Sequence, residues 1–472
     1  MNLIYNVKDK PNFGQCLVFA FQQLLAIMAA TIAVPAIVGN GMTASAALVG
    51  AGIGTIVYQL FTKFRSPVFL GSSFAFLSSM FAAFAGGISM SLGFLGLIMG
   101  ACFAGLVYVV IAIIVKISGV KWISKLMPAV VIGPTVAIIG LSLAGNAVGD
   151  MMKGDVGPIV EGVLQPVASP FIALVCALIT LFVVIICSTY GSKKIRLIPF
   201  IIGILAGYAV ALVFTLIGNA KEIDALKIID FTPFRNLVAD GVSVKTFIAL
   251  PQFTFLEAIK GVGELNFAYV GRIAVAYIPV AFVVFAEHIA DHKNLSSIID
   301  KDLLTDPGLS NTLLGDGIGS FAGAVFGGCP NTTYGESIGC VAITGNASVI
   351  SITYAAILAV IVAFISPFVA FLDSIPACVM GGVCMTLYGF IAVSGLKMLQ
   401  PVDLNENRNL FVVSVILIAG VGGLALNFAL KGGQTITVTE VACALILGII
   451  TNLVLSGKKE VPGEEEPQQI IK

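Results

Sequence analysis

Runs of about twenty apolar residues recur from residue 14 to residue 456. Each is long enough to cross a bilayer as a helix, so a water-soluble fold is excluded from the outset. Charged residues make up only 11% of the 472 and hydrophobic ones 58%, with a mean hydropathy of +1.05; soluble domains carry about 25% charged residues. Candidate spans fall near 14–36, 44–62, 67–84, 91–116, 123–147, 168–190 and 196–218. After a polar insertion they resume near 271–292, 309–328, 331–345, 348–372, 375–396, 409–428 and 437–456. The chain reads as an all-α polytopic membrane protein of about fourteen spans.

Loop charges orient it. Lys63 and Arg65, Lys116, Lys121 and Lys125, Lys193, Lys194 and Arg196, Lys293 and Lys301, Lys397 and Arg408, and Lys458 and Lys459 all fall on one side. By the positive-inside rule that side is the cytoplasm, and both termini share it. The insertion at 219–270 would lie outside, as a lid or a packed loop. The tail 457–472, with Glu464-Glu465-Glu466, reads as disordered. No cleavable signal peptide is visible, and nine scattered Cys read as small core residues.

One stretch interrupts the apolar pattern where it should be deepest: Pro330-Asn331-Thr332-Thr333-Tyr334-Gly335-Glu336-Ser337-Ile338-Gly339. A carboxylate in lipid costs roughly 2.5–3.5 kcal/mol on insertion scales. Irregular backbone at membrane depth survives only where protein buries it or it lines a cavity. The stretch therefore predicts a half-helix with one acid beside a central cavity, the shape of a transporter binding site.

A repeat supports this. Pro128-Ala129-Val130-Val131-Ile132-Gly133 returns as Pro376-Ala377-Cys378-Val379-Met380-Gly381, opening the fifth and twelfth spans. The two weakest spans, third and tenth, are also seven apart. Seven is odd, so the second copy enters the membrane upside down, which predicts two inverted seven-span repeats with broken spans 3 and 10.

The third span holds Gly71-Ser72-Ser73-Phe74-Ala75-Phe76, where small residues allow close backbone approach and Phe74 or Phe76 could stack on a flat ring. The eighth ends Glu287-His288-Ile289-Ala290-Asp291-His292. Glu287 and Asp291, four apart, share a helix face; Glu287 is expected well inside and Asp291 nearer the cytoplasmic end. His292, beside Lys293, is expected at a solvated helix end. Two His four apart can bind zinc, but the His-Glu-x-x-His order is absent and these are the chain's only His. No metal is expected.

Four stretches carry a resemblance: Gly71 to Phe76, Ala286-Glu287-His288, Pro330 to Glu336, and Leu387-Tyr388-Gly389. Over residues 14 to 456 the chain resembles the nucleobase–ascorbate transporter family, its bacterial uracil permeases most closely. The resemblance implies a core domain of spans 1–4 (14–116) and 8–11 (271–372), and a gate domain of spans 5–7 (123–218) and 12–14 (375–456). It implies a homodimer in the bacterial cytoplasmic membrane, importing uracil by proton symport as the core moves against the gate. It implies that Glu287 and Glu336 accept from ring N–H groups, that Phe74 and Gly335 offer backbone N–H groups, that Tyr334 and Tyr388 line the pocket, and that Glu287 or Asp291 carries the proton. No cofactor and no enzymatic activity are expected. A purine such as xanthine, or an anion on the same fold, is the alternative substrate. Three departures stand out: Gln22-Gln23 where the family usually has Gln-His, Asp291 where uracil permeases have His, and Ser337 where Asn usually follows the acid.

Overall fold

The computed structural model describes residues 3–119, 121–160, 163–239, 241–429 and 435–456. The tail expected to be disordered lies outside the described residues.

Caps and prolines set where the helices begin. The Asn12 side chain accepts from the N–H of Gln15 and opens α1 (Phe13–Val38); Thr43 accepts from Ala46 and opens α2 (Ala44–Phe61). Then come strand β1 (Leu70–Ser72), α3 (Leu77–Phe84) and α4 (Met90–Ser118). Proline starts three of the long helices that follow: Pro128 caps α5 (Ala129–Ser142), and Pro170 and Pro199 begin α6 (Pro170–Tyr190) and α7 (Pro199–Ala220). The second half contains α8 (Phe267–Ile299), α9 (Leu309–Gly327), β2 (Asn331–Thr333), α10 (Gly335–Thr344), α11 (Val349–Val362), α12 (Ala377–Lys397), α13 (Asn407–Val421) and α14 (Glu440–Ser456).

Eight helical stretches among the described residues are long and apolar enough to cross a membrane. The other six predicted spans are shorter or more polar. Two of them, α3 and α10, have only 8 and 10 residues because a three-residue strand takes the place of their first turns.

Those strands pair antiparallel, with Leu70 opposite Thr333, Gly71 opposite Thr332 and Ser72 opposite Asn331. Two further bonds extend the ladder, Ser73 N–H to Pro330 O at 2.9 Å and Tyr334 N–H to Phe69 O at 3.2 Å. The pair satisfies backbone groups that lipid would leave stranded. The Asn331 side-chain amide adds a bond to Gly50 O at 3.0 Å.

Glycine lets α2 and α9 close around the strands. A Cβ on Gly50 would stand 2.5 Å from Gly323 O, and one on Gly54 2.7 Å from Gly319 O. Such contacts replace the hydrophobic effect as the force between helices in lipid. The two Pro-Ala hexapeptides open α5 and α12, which pack together through Gly133, Gly140 and Gly395. The insertion is a packed layer: Ile228 and Ile229 are buried, and Ala249 N–H bonds Phe364 O at 3.0 Å. All nine Cys are free, mostly buried.

Candidate functional site

Each broken segment ends in a helix start. Phe74 follows β1 and Gly335 follows β2, so two helix N-termini flank one strand pair. Their first N–H groups have no intrahelical acceptor and carry the positive end of the helix dipole.

Beside them lies a cavity of about 540 Å³. Its wall includes Phe74, Glu287, Asp291, Tyr334, Gly335 and Glu336. The structure thus brings together on one surface six of the seven residues expected to bind substrate or carry the proton, while Phe76 is buried away from it, stacked on Tyr277. The seventh, Tyr388, stands behind Phe74 with its ring edge-on at 5.4 Å. Glu336 occupies the first turn of α10, and neither it nor Glu287 is in a salt bridge among the described residues. Asp291 is tied down: the Thr333 hydroxyl donates to its Oδ2 at 2.6 Å. Tyr334 presents its ring rather than its hydroxyl, which donates to Ser72 O at 2.9 Å.

The opposite wall escaped sequence reasoning. It is built from Val136, Ser188, Phe200, Phe390 and Ser394, with Arg196 also on the lining. These sit on or beside uniformly apolar helices, where no periodic signal marks a cavity face. Arg196 was visible only as a loop charge; here it donates to Gly191 O and Thr189 O.

A second cavity of about 580 Å³ lies along the C-terminal end of α1. Its lining includes Ile32, Pro35 and Thr43 together with Asp150, Asp155 and Asp373. Asp155 accepts from the N–H of Ala377 at 3.2–3.3 Å, at the start of α12. Burial pushes its carboxyl up to about 7.

His292 is a correction. It is 0% exposed, not solvated, with Nε2 2.7 Å from the Tyr58 hydroxyl. Close glycine packing of α2 against α9 brings Tyr58 over the end of α8, and no local pattern near Lys293 reports that. Among the described residues no group of three His, Cys, Asp or Glu could hold a metal ion.

Paired broken helices beside a cavity, inside a many-helix membrane bundle, define a transporter rather than an enzyme. Comparison with known proteins agrees. The model of the permease family matches residues 14–428, and the chain belongs to that family. It is 36% identical to a uracil permease of Bacillus caldolyticus, over 97% of this chain and 96% of that protein. It is 37% identical to the uracil permease of Bacillus subtilis (strain 168), over 98% of each. In fold it matches the transmembrane domain of a cyanobacterium bicarbonate transporter, BicA, with TM-score 0.62 and 15% identity, covering 94% of this chain and 99% of that one.

Proposed function

We propose that this permease imports uracil with a proton across the bacterial cytoplasmic membrane, with both termini inside. The observation that carries the reading is the convergence of Glu287, Glu336 and the helix starts at Phe74 and Gly335 on one cavity. Uracil is a flat neutral ring with N–H donors and C=O acceptors. Two carboxylates match the donors and two helix-terminal amides match the acceptors. A carboxylate acceptor makes a charge-assisted bond about twice as strong as a neutral one. Full-length relatives named uracil permease support the ligand class.

Glu287 is the main proton carrier in this reading, and Asp291, held by Thr333, is secondary. Helices α1–α4 and α8–α11 form a core that moves against a gate of α5–α7 and α12–α14, as inverted repeats in a dimer. The two cavities, one reaching the middle of α1 at Ala26 and one at its C-terminal end, would be the inner and outer halves of the path. The test is uptake of radiolabelled uracil into proteoliposomes with competing xanthine, hypoxanthine and cytosine. Uptake that none of the three reduces supports the reading. Preferential competition by xanthine would replace the substrate with a purine.

A further inference from the structure

A second set of buried polar groups lies on α8, among residues that do not line the cavity. His288 Nδ1 is 2.7 Å from Asp316 Oδ2 on α9, and His288 Nε2 is 3.0 Å from Thr312 Oγ1. One turn on, His292 Nδ1 meets the His288 carbonyl at 2.8 Å, and His292 Nε2 meets the Tyr58 hydroxyl, which also bonds Ser66 at 2.7 Å. The two imidazoles stack with centroids 4.0 Å apart. His288, His292 and Asp316 are all 0% exposed.

Counting hydrogens assigns their states. Thr312 directs its own hydrogen to Leu309 O at 3.1 Å, so it accepts from His288 Nε2, which must carry a hydrogen. His288 Nδ1 is then either a lone pair facing a carboxylic acid or an N–H facing a carboxylate. Asp316 Oδ1 decides between them, because it is buried and has no partner. An ionised carboxylate has about four acceptor sites, and only one donor reaches this one. The titratable groups around it are Glu287, Asp291 and His292 from α8, Tyr58 from α2 and Tyr108 from α4, with Glu336 beyond. None of the acids favours a further negative charge. A neutral carboxyl uses its one hydrogen on His288 and leaves only a carbonyl-type oxygen unpaired, which is far cheaper than a stranded charge.

We propose that Asp316 is held as a neutral carboxylic acid and is a positioning residue for the site: its Oδ2–H donates to His288 Nδ1 and fixes the turn of α8 that presents Glu287 and Asp291 to the cavity. This rests on the reading of Glu287 as a ligand and proton carrier. It adds an acid whose charge never enters the cycle, as in other apolar sites where a carboxyl is kept protonated to donate.

The test compares Asp316→Asn, which keeps a donor facing His288, with Asp316→Leu, which keeps bulk alone. In purified protein, Asp316→Asn should bind uracil within about threefold of the parent, with a superimposable pH dependence of binding. Asp316→Leu should bind at least about tenfold more weakly, with a displaced pH midpoint. An infrared difference spectrum of parent minus Asp316→Asn, taken at pH 8 without ligand, should contain one protonated-carboxyl band. Asparagine as damaging as leucine, a displaced pH curve in Asp316→Asn, or the lack of that band overturns the proposal. If the leucine variant does not fold, the band and the asparagine curve decide. A parent protein that binds no uracil refutes uracil as the substrate, and the ligand-free spectrum still tests Asp316.

Discussion

The side-chain amide of Gln23 on α1 donates to the hydroxyl oxygen of Ser337 on α10, both buried. The same oxygen accepts the backbone N–H of Phe69 at 3.2 Å, at the entry to β1. One hydroxyl thus ties three segments around the broken helices. Gln23 and Ser337 are two of the three positions that depart from the resembled family pattern, and they depart together.

Removing that oxygen strands two buried donors. Ser337→Ala should therefore destabilise by about 1–3 kcal/mol for each donor left unpaired. Gln23→Leu combined with Ser337→Ala should cost less than the two single changes added together. Thermal denaturation of the four proteins in a double-mutant cycle measures the coupling; strict additivity would show that the pair does not interact.

Glu336→Gln replaces a charged acceptor with a neutral amide that also donates toward a donating ligand. In the proposed site, uracil binding should weaken by on the order of 1.5–3 kcal/mol. Isothermal titration of the folded variant reads this directly, and an unchanged affinity would remove Glu336 from the site.

In the proposed cycle, proton coupling separates the two acids of α8. Glu287→Gln should lose gradient-driven uracil accumulation and much of the binding. Asp291→Asn, already hydrogen-bonded through Thr333, should retain substantial accumulation. Proteoliposomes with an imposed pH gradient distinguish them. An Asp291→Asn protein that binds uracil normally but ignores the gradient would reverse the assignment.

Gly71 faces the Tyr334 ring so closely that an added Cβ would lie 2.3 Å from ring carbons. That ring is 3% exposed and has little room to retreat. Gly71→Ala should displace Tyr334 and weaken uracil binding about tenfold or more, while Gly87→Ala, where a Cβ meets nothing within 4 Å but the backbone φ is positive, should affect stability rather than binding.

Asp155 predicts a pH dependence of stability. Its carboxyl is raised from 3.8 to about 7 in the fold. The folded state therefore holds a proton that the unfolded state has released across that interval, and stability falls as pH rises from about 4 to about 7. Asp155→Asn removes the titration, so its melting temperature should change less than the parent's between pH 4.5 and 7.5. Parallel curves would show that Asp155 does not titrate in that range.

Much of this architecture was legible in the chain. Long apolar runs fix the membrane class, and Pro330, Gly335 and Glu336 mark a break that no continuous span could hold. The pairing of Gly71 with Thr332 was not legible, because a three-residue strand has too few residues to show a period. Nor was the burial of His292, which depends on Tyr58 arriving from another helix. The apolar wall bearing Phe200 and Phe390 is hidden for a related reason: in lipid, a helix face toward a cavity and a face toward acyl chains can share one composition.

The strand pair has one more implication. The helix starts at Phe74 and Gly335 are joined through a hydrogen-bonded backbone ladder. In the proposed movement of core against gate it would act as a ruler, holding the gap between those two amides as the outer helices tilt. In the proposed cycle, what the pocket measures would thereby be separated from which side can reach it, and selectivity would stay constant while access alternates.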